Sequence, residues 1–302
     1  MANFRLAIET TLFAQLTLGE ALQKSSACGF AMVEVGLSHF DACAAGTADV
    51  EGLEELLSLN GLGVAALFAL PGWDPLKRTK SSLGISSPDE ARRAKAVGQM
   101  GHALGVARRL GCKSLVSEFS GDMDDTRASQ RSFVKSIGEL LPELHDDGVE
   151  ILFEAHPGDF VEDSFDAVDL LRSFRSRHIG YNYCVPHTFN LGHRPRDIVR
   201  NAKGLLRYAH FADTLMPSRI FFSPTHPPKV KPHLHMIPGQ GDVDMEEVIS
   251  SLADAGFDGY LAAQPFSNSD DPVKAAKRTK AAMVRMIAGI KQGQKSLVAG
   301  KS

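Results

Sequence analysis

The stretch that decides the fold is residues 150–160, which reads EILFEAHPGDF. Its first seven residues are short and apolar, as in a β-strand, and Gly158 and Asp159 then end that strand. Side chains of a strand alternate between two faces, so Glu154 and His156 point the same way. A carboxylate beside an imidazole at a strand end can ligate a metal, exchange protons or form a structural hydrogen bond. The functional interpretation is favoured because other strands of the chain end in the same manner.

Apolar strand-like runs alternate with segments of helical spacing along the whole chain, without a break in composition. We predict eight strands, and eight β-then-α units close most simply into a single-domain (β/α)8 TIM barrel with a parallel sheet. A doubly wound sheet needs fewer strands, and the GxGxxG loop after the first strand is missing. The predicted strands are residues 4–9, 32–36, 63–70, 113–119, 150–156, 179–184, 206–211 and 260–266.

Length and composition agree with one domain. The 302 residues suit an α/β barrel, which we place at residues 1–292, and we expect residues 293–302 to be a disordered tail. A net charge of -3 without basic blocks argues against a nucleic-acid partner. Short apolar runs and the lack of a signal-peptide pattern argue against a membrane. The four cysteines form no CxxC pair, so we expect a reducing cytoplasm.

Polar residues stand where the predicted strands end. In a barrel these ends share one rim, and catalytic groups lie there. Carboxylates, imidazoles and one thiol directed into a common mouth predict a divalent-metal or general acid–base site. The residues at or next to strand ends are Glu9, Glu34, Trp73, Glu118, Glu154, His156, Cys184, His187, His210, Asp213 and Gln264.

Each of these residues also has a structural interpretation. Glu9 and Glu34 can form ion pairs or hydrogen bonds within the barrel. Cys184 can be a small buried hydrophobe, and His210 can be a core histidine whose ring nitrogens are satisfied. Trp73 can pack against the barrel or stack on a sugar ring.

The long loop after the seventh strand carries two further features. His233 and His235 have ligand-like spacing in PHLH, although they can equally face solvent or support other ligands. The stretch PGQGD, residues 238–242, lies where barrels often hold phosphate. Without a Lys or Arg at a telling position, a turn that caps the helix starting near Asp244 is the favoured interpretation.

Several short motifs occur in a familiar order. They are SEFSG at 117–121, ELLP at 139–142, HPGDFVED at 156–163, HTF at 187–189 and an HxH before PGQGDV within 233–243, followed by the strand that ends in Gln264. On these motifs the chain resembles the sugar phosphate isomerase/epimerase superfamily, the xylose-isomerase-like TIM barrels, from about residue 4 to residue 291. Within it, the chain is most similar to inositol-catabolism proteins.

The resemblance implies a divalent metal (Mn, Zn, Mg or Co) held by a Glu, an Asp, a His and a second Glu from strands five to eight. The first Glu corresponds to Glu154 and the His to His210. Cys184 occupies the Asp position, and Gln264 occupies that of the second Glu. A histidine beside the metal-bound substrate corresponds to His187. We therefore predict Glu154, His187, His210 and Gln264 as metal ligands. Whether Cys184 is a further ligand is left open.

The two departures from the family pattern change the expected chemistry. Gln264 can ligate through its carbonyl oxygen, but it cannot accept a proton at neutral pH. A thiolate at Cys184 would favour zinc over manganese or magnesium. Any catalytic base is therefore expected at Glu154, His156 or His187.

We predict an enzyme that acts on a sugar or cyclitol as an isomerase or epimerase, by proton transfer next to a carbonyl, assisted by a metal. Two alternatives stay open: a lyase or deglycosylase acting on 3-oxo-glycosides, or a non-catalytic barrel that binds a polyol or partner after losing its metal. A homo-oligomer or a small partner subunit is compatible with the sequence. The residues predicted to contact substrate are Trp73, Glu118, Asp213 and His235.

Overall fold

The computed structural model describes residues 2–36, 39, 50–71, 73–74, 79–80, 84–144, 148–216, 234–268 and 270–299. Eight parallel strands close into a barrel, and their spatial order is their order along the chain. The last strand pairs with the first, from Asn3 opposite Asp258 to Ile8 opposite Ala263. The predicted (β/α)8 fold is therefore confirmed. The strands are β1 Asn3–Glu9, β2 Met32–Val35, β3 Gly63–Phe68, β4 Ser114–Glu118, β5 Glu150–Glu154, β6 Ile179–Cys184, β7 Leu206–Phe211 and β8 Asp258–Ala263.

Helices follow the strands and surround the barrel. A short antiparallel ladder after β3, Trp73–Asp74 with Thr79–Lys80, stands apart from the barrel sheet. None of the helices within the described ranges has the length and apolar character needed to cross a bilayer. The helices are α1 Leu18–Ala27, α2 Val50–Leu59, α3 Glu90–Arg109, α4 Thr126–Leu140, α5 Ser164–Ser173, α6 Val185–Asn190, α7 Pro195–Asn201, α8 Met245–Asp254 and α9 Pro272–Ala299.

The last helix is longer than the sequence analysis predicts. It runs to Ala299 rather than ending near Lys291, and it includes most of the segment 293–302 that we expected to be a disordered tail. The residues after 291 include good helix formers and no proline, and the helix continues through Gly293.

Alternation along the strands separates two apolar layers. In β5, Ile151 and Phe153 pack outward with the helices, whereas Leu152 belongs to an inner cluster made only of strand residues and their near neighbours. Side chains two residues further along share that inward direction. Glu154 therefore follows Leu152 on the inner face, and His210 follows Tyr208 in the same way. The inner face ends in polar groups at the carboxyl-terminal end of the barrel, which we call the mouth.

Candidate functional site

The centre of the mouth is an imidazole held between two carboxylates. His210 Nδ1 lies 2.6 Å from Glu154 Oε2, and His210 Nε2 lies 3.0 Å from Glu34 Oε1. All three side chains are buried. Burial alone lowers the pKa of His210, but the charges of Glu34 and Glu154 outweigh it and raise that pKa well above its ordinary value. Each ring nitrogen of His210 thus faces a carboxylate oxygen, an arrangement that favours the protonated imidazole.

A second buried pair lies beside this centre. The Gln264 side-chain amide donates to Glu9 Oε2, and β1 places Glu9 opposite Glu34. Burial raises the pKa of Glu9 to about 8, and the charge of Glu34 adds to the rise. Gln264 Oε1 is buried and has no hydrogen-bond partner among the described residues. It is thus a buried oxygen donor that a ligand could use.

Asn182 completes the centre, and the sequence analysis did not single it out. Its Nδ2 donates to Glu154 Oε2 at 2.8 Å and lies 3.1 Å from His210 Nδ1. It precedes Cys184 by two residues in β6, and this spacing puts both side chains on the inner face. That periodicity is the signal that could have identified Asn182. Glu34, the other carboxylate on His210, is one of the predicted strand-end residues, and the structure places it 3.0 Å from that histidine.

Histidines and a thiol form the other side of the mouth. The strand β6 passes directly into α6, so Cys184 and His187 stand one helical turn apart. His187 Nδ1 lies 3.2 Å from the Ala155 carbonyl oxygen, and its Nε2 lies 3.3 Å from His235 Nε2. The ring centroids of His156 and His187 are 4.6 Å apart. Burial, with the charge of Glu154, raises the pKa of Cys184 to about 12.

Two of the family-like motifs hold each other in place. Asp159 Oδ2, from HPGDF, accepts from the Ser120 backbone N–H of SEFSG at 2.7 Å, and Phe160 N–H donates to the Ser120 carbonyl at 2.9 Å. Ser120 has a φ of 56°, a left-handed conformation that these two bonds stabilise. Glu118 Oε1 and His156 Nε2 then lie 3.8 Å apart at the mouth. The contacts between the two motifs thus position Glu118 and His156. Not all residues of the motifs enter the site themselves.

Asp213, a predicted substrate contact, organises the glycine-rich loop. Its Oδ2 accepts from the backbone N–H groups of Gly239 and Gly241 at 2.8 and 2.9 Å. Its Oδ1 accepts from Thr214 and Val243 at 2.8 and 3.1 Å. These amides are directed at a carboxylate, in agreement with the turn interpretation of PGQGD rather than the phosphate one.

Two predicted positions cannot be placed at the mouth. Trp73 lies in the short ladder after β3, and its side chain is outside the described part of the structure, as is His233. The neighbouring His235 is described and buried, and its ring stacks on Phe266 with centroids 5.4 Å apart.

The chain matches the xylose isomerase-like TIM barrel family over residues 22–286. It belongs to this family. It is 21% identical over 270 residues to inosose dehydratase of Lacticaseibacillus casei, covering 86% of this chain and 85% of that protein. Among solved structures, a D-tagatose 3-epimerase-like protein has a TM-score of 0.75 at 15% identity, covering 96% and 99% of the two chains. The IolI protein with a bound zinc atom has a TM-score of 0.72 at 17% identity, covering 94% and 98%.

The residues at the mouth of this xylose isomerase-like barrel fit a divalent metal. Donor atoms of several side-chain groups lie within 4.8 Å of one another in the described ranges. Sulfur and imidazole donors favour zinc, whereas the family pattern of three carboxylates and one imidazole would favour harder cations. The groups are Glu154, Cys184 and His210; Cys184, His187 and His235; Glu9, Glu34 and His210; and Glu118, His156 and Asp159.

Proposed function

We propose that this chain is a metal-assisted sugar or cyclitol isomerase or epimerase, which moves a proton next to a carbonyl. The observation that carries the proposal is the buried Glu154 carboxylate at the mouth, held by His210 at 2.6 Å and Asn182 at 2.8 Å. Membership of the xylose isomerase-like family and fold similarity to sugar 3-epimerases support it. A small polyol carbonyl compound is the substrate class that suits such a polar, enclosed rim.

In this proposal Glu154 is the base. Burial raises the pKa of Glu154, although His210 opposes the rise, and a carboxylate with a raised pKa takes up a proton from carbon more readily. His210 and Asn182 hold Oε2 by hydrogen bonds, and this leaves Oε1 to face the substrate. Oε1 also lies 3.9 Å from His187 Nδ1, whose N–H donates to the Ala155 carbonyl, so His187 is a near neighbour of the proposed base.

Further residues at the mouth complete the proposed roles. His156, with Glu118 beside it, would exchange the second proton with a substrate oxygen. Trp73 and His235 are proposed substrate contacts, whereas Asp213 acts through the loop that it holds. When bound, a divalent metal would polarise the carbonyl and hydroxyl oxygens of the substrate. The side chains that could hold this metal are the predicted set, Glu154, His187, His210 and Gln264 with Cys184, or the group of Cys184, His187 and His235.

The test is turnover in heavy water. The protein, supplied with Zn²⁺ or Mn²⁺, is incubated with D-tagatose, L-ribulose, D-psicose and keto-inositols, and NMR follows deuterium entry at the carbon next to the carbonyl. Wild type should incorporate deuterium with at least one of these, and Glu154→Gln should reduce the rate by at least about 100-fold, because the base is lost.

The matched control is Glu150→Gln, which changes the same residue type at the other end of the same strand β5. Glu150 lies far from the mouth, so this variant should keep wild-type turnover. Equal rates for Glu154→Gln and wild type would remove the assignment of the base.

A lyase reaction is the second candidate. It is favoured by the similarity to inosose dehydratase and by Gln264, since an elimination needs only one base together with an acid for the leaving group. In the same experiment, and with 3-oxo-glycosides added to the panel, a lyase would give a conjugated product that absorbs in the ultraviolet. Saturable polyol binding without either reaction, with metal present, would instead indicate a binding barrel.

A further inference from the structure

Three buried side chains offer one sulfur and two imidazole nitrogens at a single point of the mouth. The donor atoms of Cys184, His187 and His235 all lie within 4.8 Å of one another, and the three side chains are 1, 4 and 7% exposed. They come from the end of β6, from α6 and from the loop that precedes α8. One thiol with two imidazoles is a ligand set that zinc prefers.

The spacing of the two imidazoles suits a tetrahedral ion. His187 Nε2 and His235 Nε2 are 3.3 Å apart. Two nitrogens bound to zinc at about 2.0–2.1 Å, at the tetrahedral angle, are separated by about 3.3–3.4 Å. The observed separation therefore needs little adjustment when an ion lies between the two rings.

Hydrogen bonds and ring stacking fix the positions of the two histidines. His187 Nδ1 donates to the Ala155 carbonyl at 3.2 Å, so that its Nε2 keeps the lone pair. Ligating histidines in metal sites are typically oriented by such a bond to a carbonyl. His235 is held by its backbone N–H, which donates to Ser267 Oγ at 2.9 Å, and by stacking on Phe266.

The position that the family pattern implies is less accessible to an ion. Both ring nitrogens of His210 are engaged by Glu34 and Glu154, at 3.0 and 2.6 Å. Ligation by His210 would require at least one of these two buried contacts to break. At Cys184 the contacts that would change are hydrogen bonds from His210 and from the His187 backbone, which are not ion pairs.

We propose that Cys184, His187 and His235 form a three-ligand zinc site, displaced across the mouth from the Glu154–His210 position. Three protein ligands and an open fourth position are typical of catalytic zinc sites. Binding of the metal does not depend on the proposed reaction, because the site is defined by its donors alone.

The first test uses Zn²⁺ and Co²⁺ as probes on the full chain. We expect about one zinc equivalent by elemental analysis, and a thiolate-to-cobalt charge-transfer band with tetrahedral absorption in the cobalt form. Cys184→Ser should abolish the charge-transfer band, whereas Cys112→Ser, at an equally buried cysteine near the start of β4, should retain it. Absence of bound zinc in folded wild type, or a band that survives Cys184→Ser, overturns the proposal.

The second test decides the position of the metal. His235→Asn should weaken zinc binding beyond the about 10–100-fold that loss of an outer-shell partner costs. His178→Asn, at a buried histidine before β6, and Gln264→Met, which removes the family-position donor, should bind like wild type. Circular dichroism checks that each variant is folded. Zinc lost in Gln264→Met and kept in His235→Asn would place the metal at the family position and reject this site, whatever the turnover assay gives.

Discussion

At the scale of single residues, both ring nitrogens of His210 contact carboxylates where the family pattern implies a metal ligand. Glu34, predicted at the polar rim with an ion pair as its structural alternative, contacts His210 at 3.0 Å. Cys184 and Gln264 replace two carboxylates, so the mouth carries less negative charge than the family pattern provides. A softer metal on sulfur and imidazole is consistent with these replacements.

Glu9 carries the pH prediction. Its folded pKa is raised from 4.5 to about 8, so the folded state holds a proton that the unfolded chain loses. The resulting stability is fully present below pH 4.5 and is lost as the pH rises through about 8. Glu9→Gln keeps a neutral acceptor for Gln264 and removes this titration. Between these limits, the free energy of unfolding of wild type should fall by up to about 1.4 kcal/mol per pH unit relative to that of Glu9→Gln.

Urea unfolding at a series of pH values measures this difference. Glu55→Gln, on the exposed face of α2, is the control and should follow the wild-type curve. Parallel curves for wild type and Glu9→Gln would mean that Glu9 is already ionised in the folded protein.

At the scale of elements, the stability of the barrel depends on side chains that link neighbouring segments. Arg93, in α3, is buried and pairs with Glu139 of the ELLP motif in α4 at 2.8 Å. It also pairs with Glu90 at 2.8 Å and donates to Ser136 at 3.0 Å. The family-like motif ELLP therefore contributes a helix-to-helix contact rather than a group at the mouth.

The loop after β7 depends on Asp213 in a comparable way. Asp213→Asn leaves one acceptor oxygen, and its new amide N–H groups face the backbone N–H groups of the loop. We expect a loss of about 2–4 kcal/mol in the free energy of unfolding, since hydrogen bonds to a charged acceptor are worth about 1.5–3 kcal/mol each. Faster hydrogen exchange at Gly239 and Gly241 should accompany it.

Asp244→Asn is the matched control for this prediction. Asp244 caps α8 by accepting from Glu247 N–H at 2.8 Å, and Asn caps a helix about as well as Asp. The free energy of unfolding of Asp244→Asn should therefore stay within about 0.5 kcal/mol of that of wild type. Equal stabilities for the two variants would contradict the organising role of Asp213.

At the scale of the whole molecule, the barrel closes through its most distant strands. The pairing of β1 with β8 joins the two ends of the chain, and α9 covers this seam. Met283 on α9 is fully buried there, whereas its neighbour Val284 is 50% exposed. Closure of the barrel and docking of the last helix are therefore parts of one cooperative structure.

Truncation of Met283 tests this coupling. Met283→Ala should lower the free energy of unfolding by about 2–5 kcal/mol, because a cavity opens in the core. The loss should appear in one transition, seen equally by tryptophan fluorescence and by circular dichroism. Val284→Ala should change stability by less than about 0.5 kcal/mol. A separate early transition in Met283→Ala would show that α9 docks independently of the barrel.

By itself, the sequence determined the eight strands, the single barrel and the polar rim, because alternation and helical spacing are local properties that a reader can count. It also identified the departures at Cys184 and Gln264. Only the tertiary structure decided which polar groups meet: Glu34 with His210, Asn182 with Glu154, and His187 with His235. These partners are up to 176 residues apart in the chain, and their contacts depend on strand register and ring orientation, which no local pattern encodes.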